Sequence, residues 1–194
     1  MKKLIFKIIF VIFFTTNLAS EEVLKIGISE SEYTPFAIYD GNPMAYGTCI
    51  NNTTPGTPAY DQCLDKLNYR GAEIDLIKYL CGGSSKTVKF DSIKRIGFQC
   101  QLVKILFENA IPSLKNGEID VIIAAMSIKP ERQIEIDFSI PYFVFEDGSA
   151  TAVGIRKNAN DLKSKIDSAI SEAINEEVIK KISIRWWNTD FTPK

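Results

Sequence analysis

The amino-acid sequence predicts an α/β sandwich built around a mostly parallel sheet. Val121 to Ala125 is an uninterrupted apolar run, the mark of a strand buried on both faces. Short strand-like runs, Leu24 to Ile28 and Ile96 to Leu102 among them, alternate with segments whose apolar residues recur at helical spacing. The 194 residues are 45% hydrophobic with a formal net charge of -1, a composition that can fill an ordinary globular core.

The N-terminus is read separately from the fold. Lys2 and Lys3 precede an apolar run from Leu4 to Phe14 broken only by Lys7, and Ala19 and Ser20 are small residues of the kind a signal peptidase accepts. Residues 1–20 are therefore expected to be a secretory signal cleaved after Ser20, with residues 21–194 forming one exported domain. The run is short for a membrane anchor. Periplasmic or secreted placement follows as the expectation.

After Leu24 to Ile28, Tyr33 to Phe36 reads as a turn carrying Pro35, and Asp40-Gly41-Asn42-Pro43 as another. Residues 44–68 are rich in Gly, Pro, Thr and Asn and read as a surface loop. From Ala72 the spacing becomes helical, with Ile74, Ile77 and Leu80 on one face. Ile96 to Leu102 follows as a strand, and Ile105, Ala110, Ile111 and Leu114 then mark a helix that stops at Asn116-Gly117. Pro130 opens a further helical turn. Tyr142 to Phe145 and Thr151 to Arg156 flank Glu146-Asp147-Gly148, which predicts a hairpin over 142–156. Asn160 to Trp187 reads as helical.

Four cysteines in an exported chain predict two disulfides, with three pairings open. Pairing by sequence neighbours, Cys49 with Cys63 and Cys81 with Cys100, is the expected one, and the first bridge would staple the 44–68 loop. None of the cysteine spacings resembles a zinc knuckle, so no metal or cofactor is expected. The near-neutral charge gives no electrostatic reason for a nucleic-acid or anionic-lipid partner. With no histidine and with cysteines oxidised, the usual acid–base and nucleophile pairs are missing, and the sequence does not read as an enzyme.

The segment from Ala124 to Arg132 holds the most chemistry. It places the end of a buried strand directly before a helix beginning at Pro130, and a helix start with unpaired N–H groups suits an anion. Ser127 adds a hydroxyl and an N–H, and Arg132 a planar fork matched to a carboxylate. Ligands of open α/β sheets sit at the carboxyl ends of the strands, where this segment lies. An ordinary capped helix with a surface arginine is the alternative reading of the same residues.

Leu24-Lys-Ile-Gly-Ile28 followed by Tyr33-Thr-Pro-Phe36 resembles the opening of the family 3 extracellular solute-binding proteins, amino-acid receptors of bacterial importers powered by ATP. Gly71-Ala-Glu-Ile-Asp-Leu76 is similar to their signature helix start. Ile111 to Ile123, Met126 to Phe138 and Asp137 to Tyr142 are similar in order and spacing. The resemblance implies that Ser127 and Arg132 hold a ligand's α-carboxylate and that the Ala125 carbonyl receives its α-amino group. It further implies that Tyr33 and Phe36 form an aromatic wall and that Glu30 meets a polar or cationic side chain. Lys129 stands where the family usually has threonine.

Members of that family have two lobes joined by crossing strands. Here Tyr142 to Phe145 resembles the outgoing strand and Ser149 to Lys157 the returning one, separated only by a tight turn. The resemblance therefore implies a single lobe of the periplasmic-binding-protein type II fold, with the C-terminal helices packed back on it and a hairpin in place of the second lobe. A small polar amino acid is the implied ligand and an inner-membrane permease the implied partner. Losing half the contacts of a micromolar site, about -8 kcal/mol, leaves roughly -4 kcal/mol, or millimolar binding. The competing expectation is a protein that self-associates through the exposed inter-lobe face, since a face meant for a second lobe leaves apolar surface uncovered.

Overall fold

The computed structural model describes residues 23–39, 59, 62, 69–81 and 99–194. The expected secretory signal lies outside the described residues. So do the 40–43 turn, the 44–68 loop apart from residues 59 and 62, the Cys49–Cys63 bridge, and Ile96 to Phe98 of the expected strand.

Five strands form the central sheet: β1 (Val23–Ser29), β4 (Gln99–Ile105), β5 (Val121–Ile122), β6 (Asp137–Val144) and β7 (Ala150–Ile155). Their spatial order is β4-β1-β5-β7-β6. β1 runs parallel to both β4 and β5, whereas β7 is antiparallel to β5 and β6. The sheet is thus mixed, not mostly parallel. The tight turn at Glu146-Asp147-Gly148 forces β6 and β7 to run in opposite directions, as a hairpin must. A separate two-stranded ladder pairs β2 (Ile38–Tyr39) with β3 (Tyr69–Arg70).

Alternation along the strands sends side chains to two cores. Leu24, Ile26, Leu102, Ile123 and Val153 pack into one cluster with residues of α1 (Ala72–Leu80), α4 (Asn160–Asn175) and α5 (Val178–Trp187). Ile105, Ile122, Ala124, Phe138 and Ala152 form the other with residues of α2 (Ala110–Asn116). The short helix α3 (Pro130–Glu135) precedes β6 and packs against it. Gly27 permits the second cluster to close on β1: a Cβ there would come within 2.5 Å of Ile119 Cδ1.

Several elements differ in extent from the sequence reading. β4 runs to Ile105, which had been assigned to the following helix, because it pairs residue for residue with β1 from Val23 to Ser29. A 3-10 turn over Phe107–Asn109 then leads into α2, which stops at Gly117 in the left-handed conformation, φ 77°. β6 starts at Asp137, five residues before the expected strand. Its register shifts on both sides of Pro141, which is tolerated because β6 is an edge strand. The C-terminal helical stretch is two helices, broken at Glu177, φ 56°. Helix α1 was expected to bury one face, yet all nine of its residues are buried, including Glu73, Asp75 and Lys78.

Of the expected disulfides, Cys81–Cys100 is formed. It ties the residue after α1 to the second residue of β4.

Candidate functional site

β1 and β5 are parallel neighbours, and a cavity of about 350 Å3 opens where the chain leaves their carboxyl ends. Ile28 and Ser29 close β1, Ala124 and Ala125 follow β5, and Glu73 comes from the first turn of α1. This is the position at which open α/β sheets hold ligands.

The aromatic wall is fixed by the helix start. The N–H groups of Ala72 and Glu73 donate to the carbonyls of Pro35 and Phe36, both at 3.0 Å, so two donors that a helix leaves unpaired dock the Tyr33–Phe36 turn. Gly71, at φ 134°, makes that approach possible; a Cβ there would lie 2.2 Å from the Phe36 carbonyl oxygen. Tyr33 stacks on Phe36 with ring centroids 5.2 Å apart and planes 3° from parallel. Tyr33 is 57% exposed and Phe36 only 8%. Behind the wall, Phe36 meets Trp187 edge-to-face at 5.1 Å, and Phe143, Phe145 and Phe191 complete the aromatic cluster. Trp186 instead donates its indole N–H to Asp75 at 2.7 Å. Both tryptophans therefore act as packing residues.

On the opposite wall the Arg132 Nη1 donates to the Ser127 carbonyl at 2.9 Å, and the guanidinium lies 5.4 Å from the centre of the Phe107 ring. Ser127 forms a bridge with Thr151 in which the hydrogen bonds are made by its neighbours: Ile128 N–H donates to Ala150 and Ala152 N–H to Met126. The N–H and carbonyl of Ser127 consequently point away from β7. Arg132 is thus held at the cavity and not released to bulk water. The helix start adds less than the sequence reading expected. Pro130 has no N–H, Arg132 N–H and Gln133 N–H both donate to Lys129 O, and no side chain caps the six-residue helix. The donors left facing the cavity on this wall are therefore those of the arginine fork and of Ser127.

The floor carries a group that the sequence reading passed over. Glu73 is 2% exposed and lines the cavity. Its Oε1 accepts from the Ala125 N–H at 2.7 Å and from the Tyr142 hydroxyl in a short contact. Burial raises the Glu73 carboxyl to about 7, against the lowering effect of those two donors. Tyr142 is raised in turn by its own burial and by the adjacent Glu73. Ala125 itself sits in the left-handed region at φ 50°, uncommon for a residue with a Cβ.

Five of the six sequence-predicted ligand residues, Tyr33, Phe36, Ala125, Ser127 and Arg132, line this one cavity. Glu30 does not. Its N–H donates to Ile105 O, anchoring the end of β1 to β4, and its carboxylate acts on Lys104 across the same pair of strands. The acid that lines the cavity from this turn is Glu32. Strand alternation would keep residues 30 and 32 on one face, but β1 ends at Ser29 and the bend that follows separates them. Phe107 and Lys129 also line the cavity unannounced, because only the turn after β4 and the start of α3 bring them there.

Residues 52–189 match the family described as bacterial extracellular solute-binding proteins, family 3. The chain belongs to this family. It is 41% identical over 80 residues to the octopine-binding periplasmic protein of Rhizobium meliloti, covering 41% of this chain and 23% of that protein. It is 33% identical over 98 residues to the ABC transporter arginine-binding protein 1 of Escherichia coli (strain K12), covering 49% and 34%. The match thus spans a quarter to a third of the length of these relatives. Among solved structures, the arginine-bound form of domain 1 from TmArgBP superposes with a TM-score of 0.53 at 26% identity, covering 77% of this chain and 92% of that one. An ancestral arginine-binding protein bound to glutamine gives 0.59 at 17% identity, covering 87% and 99%, which establishes the shared fold. The architecture is accordingly that of a single lobe of an amino-acid-binding protein. The family consists of binding proteins, although an ancestral binding protein described as a precursor of cyclohexadienyl dehydratase shares the fold at 16% identity. Among the described residues, no helix is long and apolar enough to cross a membrane.

Proposed function

We propose that this chain binds a polar α-amino acid outside the cytoplasm, as a one-lobe form of the substrate-binding component of an ABC importer. The observation that carries the reading is the Arg132 fork, fastened to the Ser127 carbonyl and the Phe107 ring at the mouth of a cavity walled by Tyr33 and Phe36. A guanidinium so placed offers its remaining donors to a carboxylate, and the adjacent Ser127 N–H and hydroxyl complete the seat. A solved single domain of an arginine-binding protein with arginine bound supports ligand binding by one lobe. The cavity of about 350 Å3 is of the size that small ligands occupy.

No second lobe is inserted between Val144 and Ala150, so the ligand is covered on one side and the hinge closure that a permease would read is lacking. Binding is therefore expected in the millimolar range. Titration of labelled protein with arginine, glutamine and histidine should shift the amide signals of Ser127 and Arg132. No shift with any of them at roughly tens of millimolar would remove the reading.

A second reading, self-association, is favoured by one observation: Tyr33, Phe107, Leu106 and Ile134 are large apolar residues left exposed, the first two lining the cavity. Sedimentation separates the two readings, since a strict monomer at high concentration counts against association.

A further inference from the structure

Recognition of an amino acid needs an acceptor for its ammonium group as well as a donor for its carboxylate. On the side of the cavity formed by Arg132 and Ser127, Arg132 supplies only donors, and the Ser127 carbonyl is taken by Arg132 Nη1. Across from them, Glu73 is a buried acid whose two described hydrogen bonds both end on Oε1, from Ala125 and Tyr142. Among the described residues no donor reaches Oε2, although the side chain lines the cavity and is 2% exposed.

We infer that Glu73 is the ammonium-recognising residue of this site, its Oε2 receiving the ligand's α-amino group beside the Ala125 carbonyl. The inference rests on the amino-acid-binding reading above and adds an acidic partner for the ammonium group on the cavity floor. Placement is consistent with it: Glu73 holds the Ala125 N–H, and Ala125 lies two residues before Ser127, so the ammonium and carboxylate positions are adjacent along one stretch of backbone. The charge environment is consistent as well. Tyr142 touches Glu73, and the other charged residues lining the cavity are Glu32, Lys129 and Arg132. Burial dominates the raised carboxyl, so an arriving cation is what would draw it into the charged form.

The test compares L-arginine with Nα-acetyl-L-arginine, and L-glutamine with Nα-acetyl-L-glutamine, by NMR titration of the wild-type protein and Glu73→Gln. The amide keeps an oxygen for the Ala125 and Tyr142 donors and turns an NH2 toward the ligand. Wild type should prefer the free amino acids by about tenfold or more, and the variant should lose most of that preference while retaining the Arg132 response. An unchanged ratio in Glu73→Gln overturns the inference and leaves amino-acid binding intact. Failure of wild type to bind any free amino acid overturns both. A second measurement needs no variant: the Glu73 carboxyl carbon, titrated in wild type, should move to lower pKa by one unit or more on saturation with arginine. A titration that stays in place while Ser127 and Arg132 signals shift also overturns it.

Discussion

The Ala125 backbone N–H donates to Glu73 Oε1 at 2.7 Å, joining the first turn of α1 to the segment that follows the central strand β5, across 52 residues of sequence. The bond holds Ala125 in its left-handed conformation and fixes the floor of the cavity to the helix that also docks the aromatic wall.

Because Glu73 is raised to about 7 in the folded protein, from an ordinary value of 4.5, it carries a pH signature. The native state holds this proton between pH 4.5 and 7 while the unfolded chain has released it. Its contribution is thus fully present below pH 4.5 and is lost as pH rises through 7, by about 3 kcal/mol if the whole shift is expressed. Urea midpoints measured from pH 4.5 to 8 should fall across this window in wild type and stay flatter in Glu73→Gln. Asp137, Asp147 and Asp190 are lowered by their partners, so their effects lie at more acidic pH and run the other way.

Arg132 is half-buried and its described hydrogen bond is to a carbonyl within its own segment. Arg132→Ala should weaken amino-acid binding about tenfold or more, the loss expected of a charge-assisted pair. Stability should change by no more than about 1 kcal/mol. A variant that binds like wild type would place the carboxylate seat elsewhere.

Gly71→Ala tests the docking of the aromatic wall. The new Cβ meets the Phe36 carbonyl 2.2 Å away and the backbone stands at φ 134°, so the turn must be pushed off the helix start. A loss of about 3 kcal/mol or more in urea unfolding is expected, together with weakened binding. Retention of both would mean that the Tyr33–Phe36 turn is held by something other than the Ala72 and Glu73 amides.

Reducing Cys81–Cys100 releases a closure of 19 residues between the end of α1 and β4. The chain-entropy estimate for a loop of that size is about 3 kcal/mol, and reductant should lower the urea midpoint accordingly. An unchanged midpoint would place the restraint elsewhere in the chain.

The strands, the helices and the placing of Ser127 and Arg132 were legible because they depend on local pattern, whereas Tyr33, Phe36 and Ala125 were implied by the family resemblance. The run from Val121, the stop at Gly117, Pro130 at a helix start and the 146–148 turn each state their structure within a few residues. Extents were less legible. Pairing with β1, distant in sequence, carried β4 on to Ile105, and an edge position in the assembled sheet let β6 contain Pro141. The resemblance implied Glu30 at the ligand, whereas the residue that lines the cavity after the bend at Ser29 is Glu32.

By itself the sequence determined that this chain would fold as an α/β domain with Arg132 and Ser127 beside the end of a buried strand, because periodicity and spacing are properties of the chain alone; that the domain is one lobe was implied by the resemblance. Only the tertiary structure decided that Glu73 is a buried acid on the cavity floor, since the same residue in the first turn of a solvated helix would be an ordinary surface charge. Burial is set by what packs around a residue. For Glu73 that means Ala125 and Tyr142, 52 and 69 positions away, and only folding brings them to it.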